Sequence, residues 1–262
     1  MSGSSSHSQG ADGPTWPSES ALRAWWVDAV EPLPGGQGSA FRSGELVFKP
    51  APERDRSAWL AEAIDGLAPS EDIRVARPVR SVDGAWVVDG WAAWHWLDGE
   101  PWAATVSELI DVSARFHDAV ARVPRGRAIV GSDRWAVADR VAWGQVDDPI
   151  PGSLAQLASA RRPVPLACQF IHGDLCGNVL AHTDLPPAVI DISPYWRPAA
   201  YATAIALVDH AVNSADSGGP DPDLLGPHGR QLLIRALLFR ALSEAEPTDV
   251  YDSLIEGVLA QG

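Results

Sequence analysis

The stretch Gln169–Asp191, which reads QFIHGDLCGNVLAHTDLPPAVID, limits the possible folds of this chain more than any other part of it. An apolar run with the length of a short buried strand leads into His172-Gly173-Asp174, and Asn178 lies four residues after Asp174. A second apolar run, residues 188–190, leads directly into Asp191. Two strands that each end at a carboxylate, with an amide between them, predict a site for a divalent cation and a phosphate, because Mg²⁺ prefers hard oxygen ligands. The alternative interpretation is a calcium-like or purely structural turn between two strands.

At these residues the chain resembles the aminoglycoside phosphotransferase family, the small-molecule branch of the protein-kinase-like fold. That family carries HGD-x-x-x-x-N followed by a hydrophobic-Asp pair, and the chain has His172-Gly173-Asp174 with Asn178, and then Ile190-Asp191. The run at residues 189–198, VIDISPYWRP, is also similar to a group of small actinobacterial members of the family. The resemblance implies an α+β, two-lobed protein-kinase-like fold, with a small antiparallel-sheet lobe and a larger helical lobe.

The resemblance also implies roles for individual residues. Asp174 is expected to face the acceptor hydroxyl as the catalytic base, and Asn178 and Asp191 are expected to hold Mg²⁺. His172 and Asp209 are expected to support the site. Asp209 is the only acid of an apolar predicted helix, where a lone carboxylate is costly unless it is hydrogen-bonded. It lies 18 residues after Asp191 (209 − 191), where the family's structural aspartate holds the backbone of the catalytic loop.

Trp196 and Arg197 are predicted to border the acceptor site, because they follow the metal-binding aspartate closely in the chain. Arg197 would stabilise charge on the transferring phosphoryl group, and Trp196 would stack on a sugar ring. The alternative is that Trp196 packs between prolines and Arg197 pairs with a surface acid.

Residues 17–93 are predicted to form the small nucleotide-binding lobe. Gly36, Gly38 and Ser39 lie in a glycine-rich turn, where backbone N–H groups can approach phosphates; an ordinary turn is the alternative. Lys49 is the only lysine of the chain, against 19 arginines (20 − 1). A lone lysine at the end of a strand indicates a need that arginine does not meet, such as a compact ammonium that reaches the phosphates of ATP.

The resemblance adds the remaining nucleotide-binding residues. Glu62, on a helix predicted over residues 55–66, is expected to pair with Lys49, and Glu53 is the second choice. Residues 94–98 are expected to form the hinge that hydrogen-bonds adenine through its backbone; its candidate residues are Trp94, His95 and Trp96. Residues 99–262 are then the helical catalytic and substrate lobe.

Composition and charge exclude several classes of protein. A chain of 262 residues with 46% hydrophobic residues can bury a substantial core. A net charge of −14 argues against nucleic acid as a partner, and no apolar run is long enough to predict a membrane span. Residues 1–16 are predicted to be a disordered tail without the features of a secretory signal. Cys168 and Cys176 are predicted to be reduced thiols of a cytoplasmic protein, with a nucleophilic Cys176 as the alternative.

Patterns elsewhere predict further elements. A helix begins at Ser18 and buries Leu22, Trp25, Trp26 and Ala29, and an Asp83-Gly84 turn joins strands over residues 75–88. Residues 191–197 are expected to form a short proline-bounded loop. Further helices are predicted over residues 107–122, 134–143, 151–160, 201–213, 231–241 and 250–260.

The predicted function is ATP- and Mg²⁺-dependent transfer of a phosphoryl group to a hydroxyl of a small polar molecule. The acceptor would be a sugar, an amino sugar, an aminoglycoside or an amino alcohol. Two alternatives remain: a non-catalytic kinase-like protein that binds a nucleotide or metabolite, and an AMP transferase that uses the same site. The sequence leaves open the acceptor, the preference for ATP or GTP, catalytic activity itself and the oligomeric state.

Overall fold

The structure, a computed structural model, describes residues 16–34, 38–126, 129–146, 148–214, 219–244 and 249–261. The chain divides into two compact units. Among the described residues, the first consists of those up to Ala58 together with Arg77–Trp96, and the second consists of Trp59–Ala76 and those from Leu97 onwards. Residues 1–15 of the predicted tail lie outside the described residues, whereas the ring of Trp16 packs on that of Phe41, with centroids 4.6 Å apart.

The elements are as follows. The strands are β1 (Glu31–Pro32), β2 (Phe41–Ser43), β3 (Leu46–Pro50), β4 (Arg74–Val75), β5 (Pro78–Val79), β6 (Trp91–His95), β7 (Glu100–Pro101), β8 (Gln169–His172), β9 (Val179–Ala181), β10 (Ala188–Val189) and β11 (Pro194–Arg197). The helices are α1 (Glu19–Arg23), α2 (Arg54–Asp65), α3 (Val106–Ala119), α4 (Arg134–Ala142), α5 (Ala155–Ser159), α6 (Ala199–Ser214), α7 (Gly229–Ser243) and α8 (Asp249–Ala260). Short 3₁₀ turns precede α5 and α7, at Gly152–Leu154 and Pro222–Leu225.

The first unit is built on an antiparallel sheet in the order β1-β2-β3-β6-β5. Phe41 of β2 lies directly opposite Phe48 of β3, and both are fully buried. Trp25 and Trp91 complete this core, and the indole N–H of Trp25 donates to the carbonyl of Val79 at 2.9 Å. Aromatic side chains on one face of the strands therefore hold the sheet against the segment that follows α1.

The hairpin turn before β6 differs from the predicted one. Asp83-Gly84 does form a turn, in which the Gly84 N–H donates to Ser81 O at 2.8 Å, but residues 81–88 do not form the expected strands. The two-residue hairpin turn is Asp89-Gly90, whose φ angles are 48° and 76°. Val88 and Trp91 exchange two backbone hydrogen bonds of 2.9 Å across it. A turn with two positive φ values favours Asp-Gly, and residues 81–91 contain two such pairs that pattern alone does not distinguish.

Helix α1 is shorter than predicted. Ser18 caps it as expected, since its Oγ accepts a hydrogen bond from the Ala21 N–H at 3.1 Å. The helix ends at Arg23, and Trp26 has a φ of 56°, which a right-handed helix cannot accommodate. Trp25 therefore enters the core, whereas Trp26 is 84% exposed and Ala29 is also exposed, so the predicted burial of Trp26 and Ala29 is wrong.

The second unit contains two small sheets. One has the order β4-β10-β9-β7, with β4 parallel to β10 and the other pairs antiparallel. The other pairs β8 with β11, and Pro194 lies opposite His172. Strand β11 occupies part of the segment predicted as a loop, which is a correction. Pro194 has no N–H to donate, but proline is tolerated at the first position of a strand. Residues 194–197 can therefore pair with β8 despite this proline.

The predicted helices of the second unit are confirmed to within a few residues at each end. Helix α7 packs against α4 and α6, and α6 also packs against α3. Almost all of α7 is buried, including Arg235 and Arg240, as expected for a helix with apolar residues around its whole circumference. None of the helices in the described ranges is long and apolar enough to cross a membrane.

Candidate functional site

The candidate site lies in the second unit, at the ends of β8 and β10. Strand β8 ends at His172, and Gly173 begins the loop that leads to Asn178. The Gly173 N–H donates to Ser193 O at 2.9 Å, which joins this loop to the segment after Asp191. A Cβ atom at Gly173 would lie 2.4 Å from two ring carbons of Tyr195, so only glycine fits between the loop and that buried ring.

His172 connects the backbones of the two segments that carry the candidate carboxylates. Its Nδ1 accepts from the N–H groups of Asp174 (3.1 Å) and Ser193 (3.3 Å), and its Nε2 lies 3.3 Å from Ile190 O. These partners assign the neutral tautomer with the proton on Nε2, which donates to Ile190 O. Burial lowers the pKa of His172 to about 4, so the ring stays neutral near pH 7. The predicted supporting position of His172 therefore has a defined geometry.

His117 of α3 supports His172 from behind. Its Nε2 accepts from the His172 N–H at 3.2 Å, and its Nδ1 lies 2.6 Å from Ser113 O. Burial lowers the pKa of His117 to about 4 as well. These contacts make His117 a hydrogen-bonded structural histidine.

Asp174 and Asn178 lie together in a tight turn. Asn178 Nδ2 donates to the backbone oxygen of Asp174 at 2.7 Å and contacts its Oδ2 at 3.2 Å. Three residues separate the two, one fewer than in HGD-x-x-x-x-N, so the match to the family motif is looser than the resemblance implied. Gly177, at a φ of 86°, lets the shorter loop close.

Asn178 and Asp191 are brought side by side by the pairing of β9 with β10. The Ile190 N–H donates to the backbone oxygen of Asn178 at 3.0 Å, and Asp191 follows with a φ of 50°. Because Nδ2 of Asn178 faces Asp174, the amide oxygen of Asn178 is its side-chain atom that could bind a cation. The exposed carboxylate of Asp191 directly follows Ile190, the residue that pairs with Asn178, and could be a second ligand. No three His, Cys, Asp or Glu side chains in the described ranges converge on one metal position. An oxygen-preferring cation that also binds phosphate fits this donor set.

Arg240 contributes a buried positive charge to this site, and the sequence analysis did not predict it. Its Nη2 donates to Asp174 Oδ1 at 2.7 Å and to Asp209 Oδ2 at 2.5 Å, and its Nε donates to Asp209 Oδ1 at 2.6 Å. Burial alone would lower the pKa of Arg240, but the carboxylates of Asp209 and Asp174 outweigh that effect and raise it. Burial raises the pKa of the Asp209 carboxyl, an effect that Arg240 opposes.

The partner of Asp209 is therefore different from the expected one. We expect from the sequence that its carboxylate binds backbone N–H groups near His172–Asp174, but it accepts from the guanidinium of Arg240, and His172 accepts from the backbone instead. A signal for Arg240 was present in the chain: a cation on the buried face of an apolar helix needs a partner for the same reason as a buried acid does. Arg235 is also a buried arginine of this helix, but it does not contact the site. Such a pattern therefore identifies arginines that need a partner without showing which of them belongs to the site.

Arg197 points to α4 and not to the loop. Its guanidinium pairs with the buried Asp139 through two hydrogen bonds (3.1 and 2.5 Å) and with Gln145 at 2.9 Å. Arg197 is 9% exposed, so of the two predicted alternatives the structure shows an ion pair, with a buried acid instead of a surface acid. Trp196 is half-buried and lines a pocket of about 80 Å³ together with Arg125 and Gln145.

The two cysteines are both free thiols. Burial raises the pKa of Cys176 to about 11, and the nearby carboxylate of Asp209 acts in the same direction. A thiol protonated at neutral pH is a poor nucleophile, so the structure argues against the nucleophilic alternative for Cys176.

The predicted nucleotide-binding residues are divided between the units. Gly36 lies outside the described residues, while Gly38 has a φ of 67° and Ser39 follows it in the segment between β1 and β2. Lys49 lies on β3, opposite Ala92, in the first unit. Glu62 is exposed on α2, in the part that belongs to the second unit, so its pairing with Lys49 stays a prediction.

The predicted hinge begins within β6, and two of its N–H groups are already used. The His95 N–H donates to Arg77 O at 2.7 Å, and the Trp96 N–H donates to Glu45 O at 2.8 Å. Trp96 also lies under the guanidinium of Arg42, 3.7 Å from its ring centroid. Adenine could therefore not accept hydrogen bonds from these two N–H groups, and its contact with the remaining backbone groups of residues 94–98 stays a prediction.

Comparison with known proteins identifies the fold. No protein-family model matches the chain, and no curated protein matches it in sequence. Among solved structures, an aminoglycoside phosphotransferase from Alicyclobacillus acidocaldarius is 15% identical and aligns over 96% of this chain and 97% of that one, with a TM-score of 0.53. An ethanolamine kinase from Plasmodium vivax is 10% identical and aligns over 90% of this chain and 82% of that one, with a TM-score of 0.50.

These likenesses extend over nearly the whole of this chain and over most of each matched chain. They agree with the antiparallel sheet of the first unit and the helices that surround the loop 173–178 in the second. At such low sequence identity they establish the architecture alone. The chain has the α+β protein-kinase-like fold of small-molecule phosphotransferases.

Proposed function

We infer that the protein transfers the γ-phosphoryl group of ATP to a hydroxyl of a small polar molecule. The observation that supports this most strongly is the placement of Asp174, whose side chain is 45% exposed beside the oxygen donors of Asn178 and Asp191. The two compared structures are named as an aminoglycoside phosphotransferase and an ethanolamine kinase, which suits this class of reaction. The narrower similarity to a group of actinobacterial members stays a prediction.

In this proposal Asp174 receives the proton of the acceptor hydroxyl. The hydroxyl oxygen forms a bond to the γ-phosphorus, the bond from that phosphorus to the β–γ bridging oxygen breaks, and ADP leaves. The transition state for such a transfer is loose, so correct placement of the hydroxyl matters more than the strength of the base. The partly exposed carboxylate of Asp174 suits this role, because it is held from within the protein and open to solvent on its other side.

Asn178 and Asp191 would hold Mg²⁺, through the amide oxygen and the carboxylate. The cation would supply positive charge to the phosphate oxygens when it is bound. Lys49 is proposed to contact the phosphates of ATP, with Glu62 as its partner and with Gly38 and Ser39 in the loop that covers the phosphates. The supporting observation for Lys49 is the use of lysine once in a chain with 19 arginines (20 − 1).

Trp196 is proposed to contact the acceptor. Strand β11 leaves the site at Pro194, which pairs with His172, and Trp196 lies two residues further, or about 7 Å along the strand. The pocket that Trp196 lines is small and has both polar and apolar walls, and Arg125 and Gln145 supply polar groups that suit a polar molecule. Trp196→Ala should raise the KM for the acceptor severalfold and leave the KM for ATP unchanged. An unchanged acceptor KM would place the acceptor elsewhere.

A screen of pooled metabolites for ATP-dependent mass gain tests the main proposal. A gain of one phosphate supports it, whereas a gain of AMP supports the transferase alternative with the same site. If no acceptor gains mass and ATP is not hydrolysed, the non-catalytic binding protein becomes the better interpretation.

Two substitutions in the site separate chemistry from binding. Asp174→Asn keeps the shape of the side chain and should lower turnover by about 10²–10⁴-fold with little change in ATP affinity. Asp191→Ala should instead remove the dependence of ATP binding on Mg²⁺, measured by calorimetry with and without the metal. Asp111→Asn, in an exposed pair on α3, is the matched control and should change neither. Equal ATP affinity of the wild type with and without metal would contradict the proposed metal site.

A further inference from the structure

Three charged side chains from distant parts of the chain meet behind the loop 173–178. Asp174 belongs to the loop, Asp209 to α6 and Arg240 to the last turns of α7. The side chain of Arg240 is 9% exposed and that of Asp209 is 14% exposed, whereas that of Asp174 is 45% exposed. The two inner groups are therefore enclosed, and the outer carboxylate alone can meet a bound molecule.

Asp209 holds Arg240 by both of its oxygens. The guanidinium donates to them from Nε and Nη2, at 2.6 and 2.5 Å, in the paired geometry that fixes the plane of an arginine side chain. An arginine held in this way cannot follow a neighbouring carboxylate as it moves. The position of its remaining contact is set by the packing of α6 against α7.

That remaining contact is the Asp174 carboxylate. Oδ1 accepts from Arg240 Nη2 at 2.7 Å, and Oδ2 lies 3.2 Å from Asn178 Nδ2, so each oxygen has a donor on a different side. Two donors in different directions define the rotation of the carboxylate about its Cβ–Cγ bond. An error of about 1 Å in such a group can cost a factor of about 10² in rate, so this orientation is worth fixing.

We propose that Arg240, held by Asp209, is a positioning residue that sets the orientation of the Asp174 carboxylate toward the acceptor hydroxyl. This inference rests on the proposed phosphotransfer reaction. Arg240 does not touch the acceptor in this proposal, because it is enclosed behind Asp174, and Asp209 acts only through Arg240. The competing interpretation is that the Arg240–Asp209 pair joins α6 to α7 and has no separate effect on the loop.

Conservative substitution tests the first part. Arg240→Lys keeps the charge but has one ammonium in place of the fork, so it cannot hold both carboxylates in the same geometry. It should lower kcat by about 10–100-fold with less than a twofold change in the KM for ATP. Arg235→Lys is the matched control: Arg235 lies on the same helix, is similarly buried and bonds to Gln231 and Arg162, so it should leave kcat within about twofold.

A second variant distinguishes a loss of activity from a loss of folding. Arg240→Met with Asp209→Leu replaces both buried charges by apolar side chains, which often preserves stability. This protein should keep a melting temperature close to that of the wild type and still lose kcat to the same extent as Arg240→Lys. Normal kcat in the folded double variant would overturn the proposal.

A double-mutant cycle with Asp174→Ala separates positioning from mere support. If Arg240 acts through Asp174, Arg240→Lys should change the residual turnover of Asp174→Ala by less than about twofold. The same 10–100-fold loss in both backgrounds would show that Arg240 acts independently of Asp174, which would overturn the proposal.

The melting temperatures of the same four proteins provide a readout that does not need activity. A contact between Arg240 and Asp174 predicts that the two changes are not additive, and additive changes would overturn the positioning role. If the wild type turns over no acceptor and hydrolyses no ATP, the proposed function fails, and this thermal cycle alone decides whether Arg240 holds Asp174.

Discussion

At the scale of single residues, the site depends on groups that bind backbone as much as on groups that face solvent. His172 accepts from two N–H groups and lies against one carbonyl, so one neutral ring fixes the segments on both sides of the candidate cation position. Gly173 next to it is required for a different reason, since it lies against the ring of Tyr195. His172 is therefore needed for its hydrogen bonds, and the neighbouring Gly173 is needed for its small size.

Gly173→Ala should destabilise the protein by about 1–3 kcal/mol, because the added methyl group meets a ring that cannot retreat. Tyr195 is buried, and its ring packs on that of Phe239 with centroids 5.6 Å apart. Gly257→Ala is the matched control, since nothing lies within 4 Å of a Cβ added there in α8. It should stabilise the protein by up to about 1 kcal/mol. Urea denaturation measures both, and a Gly173→Ala protein as stable as the wild type would contradict the packing argument.

At the scale of elements, β11 connects the site to the helices. Its first residue, Pro194, pairs with His172, and its last residue, Arg197, binds Asp139 of α4. Burial raises the pKa of the Asp139 carboxyl, an effect that Arg197 opposes, so each partner needs the other. The strand is therefore held at both ends, by its pairing with His172 of β8 and by a buried ion pair.

Arg197→Ala should reduce the free energy of unfolding by about 3–5 kcal/mol, because it leaves a buried carboxylate without its partner. Replacing both partners, with Arg197→Met and Asp139→Leu, should recover most of that loss. Arg115→Ala, in an exposed pair with Asp111, should cost at most about 1 kcal/mol. If Arg197→Ala is as stable as the wild type but inactive, Arg197 has the direct catalytic role that we predict from the sequence as one of two alternatives.

At the scale of the whole molecule, burial makes stability depend on pH. The pKa values of His117 and His172 are both lowered by burial to about 4, from an ordinary value of 6.5. Between these values the unfolded chain binds protons that the folded chain does not, so stability falls as the pH falls from 6.5 to about 4. Burial raises the pKa values of Asp139 and Asp209, which favours the folded state as the pH falls and opposes this trend.

We expect a loss of up to about 3 kcal/mol per histidine between pH 6.5 and 4, measured by urea denaturation at several pH values. His117→Asn removes one of these groups, so its stability should change less steeply with pH than that of the wild type, whatever its absolute value. His182→Asn alters an exposed histidine on the segment between β9 and β10 and should leave the slope unchanged. The same slope in His117→Asn and the wild type would show that His117 does not control acid stability.

The sequence by itself determined the local part of the site. Asp174, Asn178 and Asp191 lie within 17 positions of one another (191 − 174), so chain continuity and two short strands are enough to bring them together. The long helices were predictable for a similar reason, because apolar periodicity and the caps that end a helix are local properties. The fold class was predicted from the resemblance of the motif around His172–Asp174 to that of the aminoglycoside phosphotransferase family.

The tertiary structure alone decided which distant side chains meet. Arg240 contacts Asp174 across 66 residues of sequence, and Arg197 contacts Asp139 across 58. Such pairs depend on how α6, α7 and α4 pack, which no local pattern specifies. The choice between the Asp83-Gly84 and Asp89-Gly90 turns has the same origin, since the burial of Trp91 against Phe41 selects the strand that the second turn begins. The residue types show which buried charged side chains need a partner, whereas the packing of the helices determines which partner each of them has.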